Sequence, residues 1–197
     1  MSQLRGNHRG EVMEQYRLSE RTFSLCWKTG EARTQQAARL GLKSHRADWR
    51  SENAINALGV IGEYVALRAL SDGTLDDIRV GTPDGGRDIQ LPCGCWMEIK
   101  TTTKMGYNFV FSGTVPPKPK EDFVSDFGVL VWSMDVERTY GVVGWCDRNQ
   151  FQRECEWGHW LKHPSWWLSW RYFQPLDALR RHVNQHNQQQ LTSRINS

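Results

Sequence analysis

Long apolar runs are missing from this 197-residue chain, and no stretch approaches the ~18 consecutive apolar residues that a membrane-spanning helix requires. The first thirty positions scatter arginine and glutamate where an export signal is apolar, so the expectation is a cytoplasmic protein with no membrane partner. A paired-cysteine framework is missing too. Five Cys (Cys26, Cys93, Cys95, Cys146, Cys155) is an odd number without an export signal, which favours free thiols. None of their spacings is the C-x2-C knuckle of a zinc site. Cys155, His159 and His163 could join Cys93, Cys95 and Cys146 in offering thiolate and imidazole donors, but Gly158 and Pro164 interrupt the helix that would align them. Structural Zn2+ is therefore disfavoured against buried thiols and surface imidazoles. Internal repeats and Gly-Ser linkers are absent, so the chain reads as one domain whose 39% hydrophobic content suffices for a real core.

What is present is unevenly charged. Positions 1–50 carry ten Lys and Arg against five acids, a net +5 that leaves the rest of the chain at −2 of the overall +3. A basic segment beside a mildly acidic remainder suits a protein that contacts phosphates and also needs a carboxylate site; a solvated helical face gives the same count. Segments 9–23 and 31–43 have helix-favouring composition, with Gly30 predicted to separate them. Residues 51–70, SENAINALGVIGEYVALRAL, predict a helix capped by Ser51 and stopped at Asp72-Gly73. Strands are expected at 74–80, 88–91, 96–102, 108–111, 127–134 and 139–146. Asp147 can cap a short helix to about 154, and Pro175 can open another whose stripe is Leu176, Leu179 and Val183. The final HNQQQLTSRINS has no stripe and is expected to fray. These signals divide the chain into a basic helical extension, 1–50, a core, 51–155, and a Trp-rich segment with a C-terminal helix, 156–197.

Candidate chemistry begins at Glu63, which shares the apolar helix 57–70 with one other charge, Arg68. A carboxylate buried on such a helix requires a partner, either a nearby arginine or a metal site. Gly59 and Gly62 leave the turn before it able to approach another backbone closely. In PDGGRDIQLPCGCWMEIKTTT, 83–103, a turn, a strand, a tight Cys-Gly-Cys turn and a second strand follow one another. Strand alternation puts Glu98 and Lys100 on one face with Met97 and Ile99 on the other, and a hairpin sets Asp88 alongside Glu98. Two such carboxylates repel unless a divalent cation lies between them, and hard oxygen donors suit Mg2+.

Taken together, Glu63 on a core helix, Asp88 opening a strand, and Glu98-Ile99-Lys100 on the next strand resemble the PD-(D/E)XK nuclease superfamily, whose fold is restriction-endonuclease-like. The likeness covers 51–155. It implies an α/β fold with a mixed central sheet flanked by helices, and a Mg2+- or Mn2+-dependent endonuclease acting on DNA. It further implies that Asp88, Glu98 and the Ile99 carbonyl hold the metal, that Lys100 orients the attacking water, and that Glu63 is a further ligand or an acid beside the site. Arg87 stands where the family has proline, and the literal Pro83-Asp84 makes Asp84 a possible substitute for Asp88.

Arg39, Lys43, Arg46 and Arg50, with Lys104, are the expected phosphate contacts. In WGHWLKHPSWWLSWRYF, 157–173, Trp166 and Trp167 could stack on bases, or the cluster could serve the core or a homodimer contact. The rival function is a catalytically silent nucleic-acid-binding or assembly protein on the same fold, and an RNA nuclease is a third. Keeping Lys100 beside Glu98 argues for the enzyme.

Overall fold

The computed structural model describes residues 13–41, 52–71, 78, 87–91, 93–104, 108–111, 120–134, 136–158 and 164–195, with side chains to 185. Its elements run β1 (Gln15–Arg17), α1 (Glu20–Arg39), α2 (Glu52–Leu70), β2 (Ile89–Gln90), β3 (Trp96–Thr102), β4 (Phe109–Phe111), β5 (Phe127–Ser133), β6 (Thr139–Asp147), α3 (Arg148–Glu154), β7 (Glu156–Gly158), β8 (Ser165–Leu168) and α4 (Leu176–Ile195). They form a mixed α/β architecture. Five strands make the main sheet in the order β1-β6-β5-β3-β2, with β3 and β5 parallel and the other neighbours antiparallel. A smaller sheet, β4-β8-β7, is antiparallel throughout.

The unbroken apolar runs of β5 and β6 follow from burial on both faces, where alternation has no solvent side to mark. Val129 and Val131 join the core beneath the helices, together with Val60, Ile61, Val65, Met97, Ile99, Leu179 and Val183. Leu130 points the other way, into a second core with Phe109, Phe111, Phe123, Phe151, Leu168 and Phe173. The main sheet is thus sandwiched between helices and an aromatic layer built from β4, β8 and α3. Within that layer Phe123 and Phe151 approach to 4.5 Å between ring centroids, and Phe109 meets Phe123 edge-on at 5.9 Å.

Several sequence expectations correspond directly to this architecture. The strand at 96–102 is β3, and the Asp147 side chain caps α3 by accepting the Gln150 N–H at 2.7 Å. Others need correction. The two expected N-terminal helices are one continuous α1, and residues 15–17 within the first are a strand on the sheet edge. Gly30 does not interrupt α1 because its missing side chain serves packing: a Cβ there would lie 2.4 Å from the Ala57 nitrogen and 2.5 Å from its Cα, so α1 and α2 meet at this point. At the other end, α4 continues through Ile195 where the lack of an apolar stripe predicts fraying; Gln, Leu and Arg are adequate helix formers without one. Of the strand expected at 74–80, Ile78 falls among the described residues and is buried in the helix-side core. Ser51, Asp72-Gly73 and Asp84 lie outside them. No helix among the described residues is long and apolar enough to cross a membrane.

Arg180 ties α4 to the segment before β1 and to the end of α2. Its guanidinium donates to both Glu14 carboxylate oxygens at 2.5 and 2.8 Å, to the Ala69 carbonyl at 2.8 Å, and to Asp177 at 3.0 Å. This fork holds the Glu14 carboxyl below its usual range.

Candidate active site

The β2–β3 hairpin builds the site. Ile89 pairs with Met97 and Gln90 with Trp96, and just before this ladder Asp88 is fastened to β3 on either side of Glu98. The Asp88 N–H donates to the Met97 carbonyl at 2.8 Å, and its Oδ2 accepts the Ile99 N–H at 2.6 Å. The N–H and carbonyl of a strand residue face the same edge, so the Ile99 carbonyl also faces the Asp88 side of β3. Here β2 gives out, and the Asp88 side chain takes over the hydrogen bond that a longer strand would have made.

Glu98 is 4% exposed and lies on the sheet face away from Met97 and Ile99. Lys100, two residues along on the same face, donates its Nζ to Glu98 Oε1. Glu98 Oε2 is buried and has no hydrogen-bond partner among the described residues. Burying a carboxylate oxygen without a partner is expensive. Burial, and next the nearby Glu98 charge, push the Asp88 carboxyl up to about 8; the Lys100 ammonium and the Ile99 N–H pull it down, and Glu63 adds to the rise. Glu63, Asp88, Glu98 and Lys100, from three elements, therefore share one electrostatic neighbourhood.

Glu63 has found the arginine that sequence reasoning allowed for. Arg33 of α1 donates Nη1 to Oε1 at 2.5 Å and Nη2 to Oε2 at 2.6 Å, a two-pronged pair in which Glu63 is 3% exposed. In the sequence Arg33 is one of the basic residues of positions 1–50. The signal that could have found it is the helical spacing of Gly30, Arg33 and Thr34, which puts all three on the α2-facing side; Thr34 Oγ1 accepts from Asn56 Nδ2 at 2.8 Å. Gly62 permits close approach as expected, although to a side chain, since a Cβ there would lie 1.9 Å from Thr101 Oγ1. Gly59 does not: a Cβ there meets nothing within 4 Å.

A second charged clamp seats the start of β3. Asp126 accepts the Trp96 N–H at 2.8 Å through Oδ2 and pairs with Arg148 at 2.8 Å through Oδ1, while Arg148 also donates to the Val124 and Ser125 carbonyls. These residues gave no sequence signal, because each lies 22 or more positions from its partner.

Among the remaining expected residues, Arg39 is exposed in the last turn of α1 and Lys104 is exposed in the turn after β3. Lys43, Arg46 and Arg50 lie outside the described residues, as do His159 and His163. Trp166 pairs across from Phe111 on the face of the small sheet that meets the second core, packs on Trp157 at 5.0 Å, and has the Lys120 ammonium 5.9 Å from its ring. Trp167 occupies the opposite face, across from Val110 and Glu156. All five cysteines are free thiols, and burial raises Cys26 to about 12. No group of three or more His, Cys, Asp or Glu among the described residues could hold a metal ion by itself.

Comparison of the chain with protein-family models, with curated proteins and with solved structures yields no match.

The raised Asp88 carboxyl makes a prediction for the metal-free protein. Its ordinary value is 3.8 and its folded value about 8, so folding takes up a proton between those limits. The stabilising contribution is complete below about pH 4 and is lost as pH rises toward 8. Solvent at this half-buried side chain trims the limiting ~1.4 kcal/mol per pH unit, leaving roughly 1–3 kcal/mol between pH 5 and pH 8. Denaturant melts in EDTA should show this fall for the wild type and a flatter profile for Asp88→Asn; equal slopes would contradict the assignment.

Proposed function

We propose that this chain is a divalent-metal-dependent endonuclease that hydrolyses phosphodiester bonds in DNA, on a restriction-endonuclease-like variant of the mixed sheet. The observation that carries the reading is that Asp88 is bonded to β3 at Met97 and Ile99, on either side of Glu98, whose Oε2 is buried and has no hydrogen-bond partner among the described residues. Two hard carboxylate oxygens beside a strand carbonyl form a donor set that fits Mg2+ or Mn2+, and the unpartnered oxygen is the point of fit. Asp88, Glu98 and the Ile99 carbonyl would hold the ion. Bound there, it supplies charge neutralisation for the phosphodiester transition state and acidifies the attacking water.

The chain's own groups do the rest. The Ile99 N–H fixes the Asp88 carboxylate, and Glu98 holds Lys100, whose side chain is 39% exposed, at the rim where substrate arrives. An ammonium so placed can hydrogen-bond the attacking water and a phosphate oxygen together. Arg39 and Lys104, both exposed, supply cationic contacts for the nucleic-acid backbone.

The test is incubation of supercoiled plasmid, single-stranded and branched DNA, and an RNA of matching sequence, with the protein in Mg2+, Mn2+ or EDTA. Cleavage of a DNA substrate confined to the metal-containing samples is expected. DNA binding without cleavage in either metal would favour the silent, nucleic-acid-binding alternative, and cleavage of RNA alone would reassign the substrate.

A further inference from the structure

Among the described residues the carboxylate cluster contains three acids and two cations, and the hydrogen bonds divide them unevenly. Lys100 takes one oxygen of Glu98. Arg33 takes both oxygens of Glu63. Asp88 receives a backbone N–H, which carries no full charge. Among the described residues, Glu63 is therefore the acid with a cation of its own, while Asp88 and Glu98 share Lys100. The placement is built in: Gly30, three residues before Arg33, allows α1 to close on Ala57, six residues before Glu63.

We propose that Arg33 is the positioning and charge-balancing residue of this cluster, holding Glu63 so that a divalent cation is left to the Asp88–Glu98 pair. The inference rests on the metal-site reading above and deepens it. A guanidinium forked onto both oxygens both satisfies Glu63 and repels a second cation from it. Arg33 acts through Glu63 and touches no reacting atom.

The inference is tested by Mn2+ binding to the full chain, followed by titration calorimetry and by loss of the free-ion electron paramagnetic resonance signal. The variants are Arg33→Gln, Arg33→Lys, Glu63→Gln and the Arg33→Gln/Glu63→Gln double. Each is measured where thermal melts show it folded. Arg33→Gln uncovers a negative charge beside the site and is expected to tighten Mn2+ binding on the order of tenfold. Glu63→Gln removes the negative charge that Arg33 forks onto and is expected to weaken it by a comparable factor. The double variant restores the local charge and should return to within about twofold of wild type, as should Arg33→Lys.

Unchanged affinity in both single variants, with only melting temperatures lowered, would reduce the pair to a structural salt bridge and overturn the inference. A double variant as weak as Glu63→Gln would also overturn it, by making Glu63 a ligand. If Arg33→Gln does not fold, Glu63→Gln and Arg33→Lys decide: the first must weaken binding and the second must not. A wild-type protein that binds no Mn2+ would overturn the metal site itself, and so is distinguishable from failure of the Arg33 role alone.

Discussion

Replacing Glu98 by glutamine should remove divalent-dependent DNA cleavage almost entirely while leaving the metal-free fold intact or slightly more stable. The reason lies in what Glu98 does without a cation. It is buried, one of its oxygens has no partner among the described residues, and it adds to the effect of burial in raising the Asp88 carboxyl. Glutamine keeps the shape, removes the repulsion, and still offers Lys100 a carbonyl oxygen. In the metal-bound protein the balance reverses, because an amide oxygen is a much poorer ligand for a hard dication. A loss of roughly 10²- to 10³-fold in cleavage rate is expected for Glu98→Gln and for Asp88→Asn, on the scale of removing one preorganised electrostatic group from an active site. Lys100→Ala should lose rate with metal affinity largely retained. If Glu98→Gln and Asp88→Asn both cut at the wild-type rate, the site lies elsewhere.

Gly30→Ala should destabilise the protein by about 2 kcal/mol or more, although the same change in an ordinary helix interior stabilises by about 0.5–1 kcal/mol. The added methyl would lie 2.4 Å from the Ala57 nitrogen, 2.5 Å from its Cα and 2.9 Å from the Asn56 carbonyl carbon, all backbone atoms of α2 that no rotamer change can move. The helices must part, and Arg33, one turn on, moves with α1. Gly59→Ala is the control: nothing lies within 4 Å of its added Cβ, so the ordinary helix gain should appear there. Urea midpoints for the two variants should therefore shift in opposite directions, and a stabilised Gly30→Ala would show that the helices do not meet at this point.

These two glycines also show where the sequence could be read and where it could not. The hairpin with Asp88 and Glu98 was legible because strand alternation and a short Cys-Gly-Cys turn are local, and so was the α3 cap, which involves residues three apart. Gly30 read as a break because a glycine that ends a helix and one that admits a neighbouring helix look alike until the neighbour is known. Arg33 as the partner of Glu63 was hidden for a related reason: 30 residues separate them, and basic residues on a helix ordinarily face water. That Trp166 packs on the second core was hidden because its strand pairs with the distant β4, whose Phe109 and Phe111 belong to that core.

The pairing of β1 with β6 sets an order for the chain's assembly. Gln15–Arg17 is made early, yet its ladder partner spans Thr139–Gly141, and Glu14 waits longer still for Arg180. During synthesis the helix pair can form as soon as residue 70 is free, because α1 and α2 need only each other to close at Gly30. The sheet edge must stay open until β6 emerges. That edge is three residues long and includes Arg17, which limits the template it offers to other chains in the interval. The nascent protein thus makes the elements of its carboxylate cluster, α1, α2 and the β2–β3 hairpin, well before α4 arrives to pair Arg180 with Glu14.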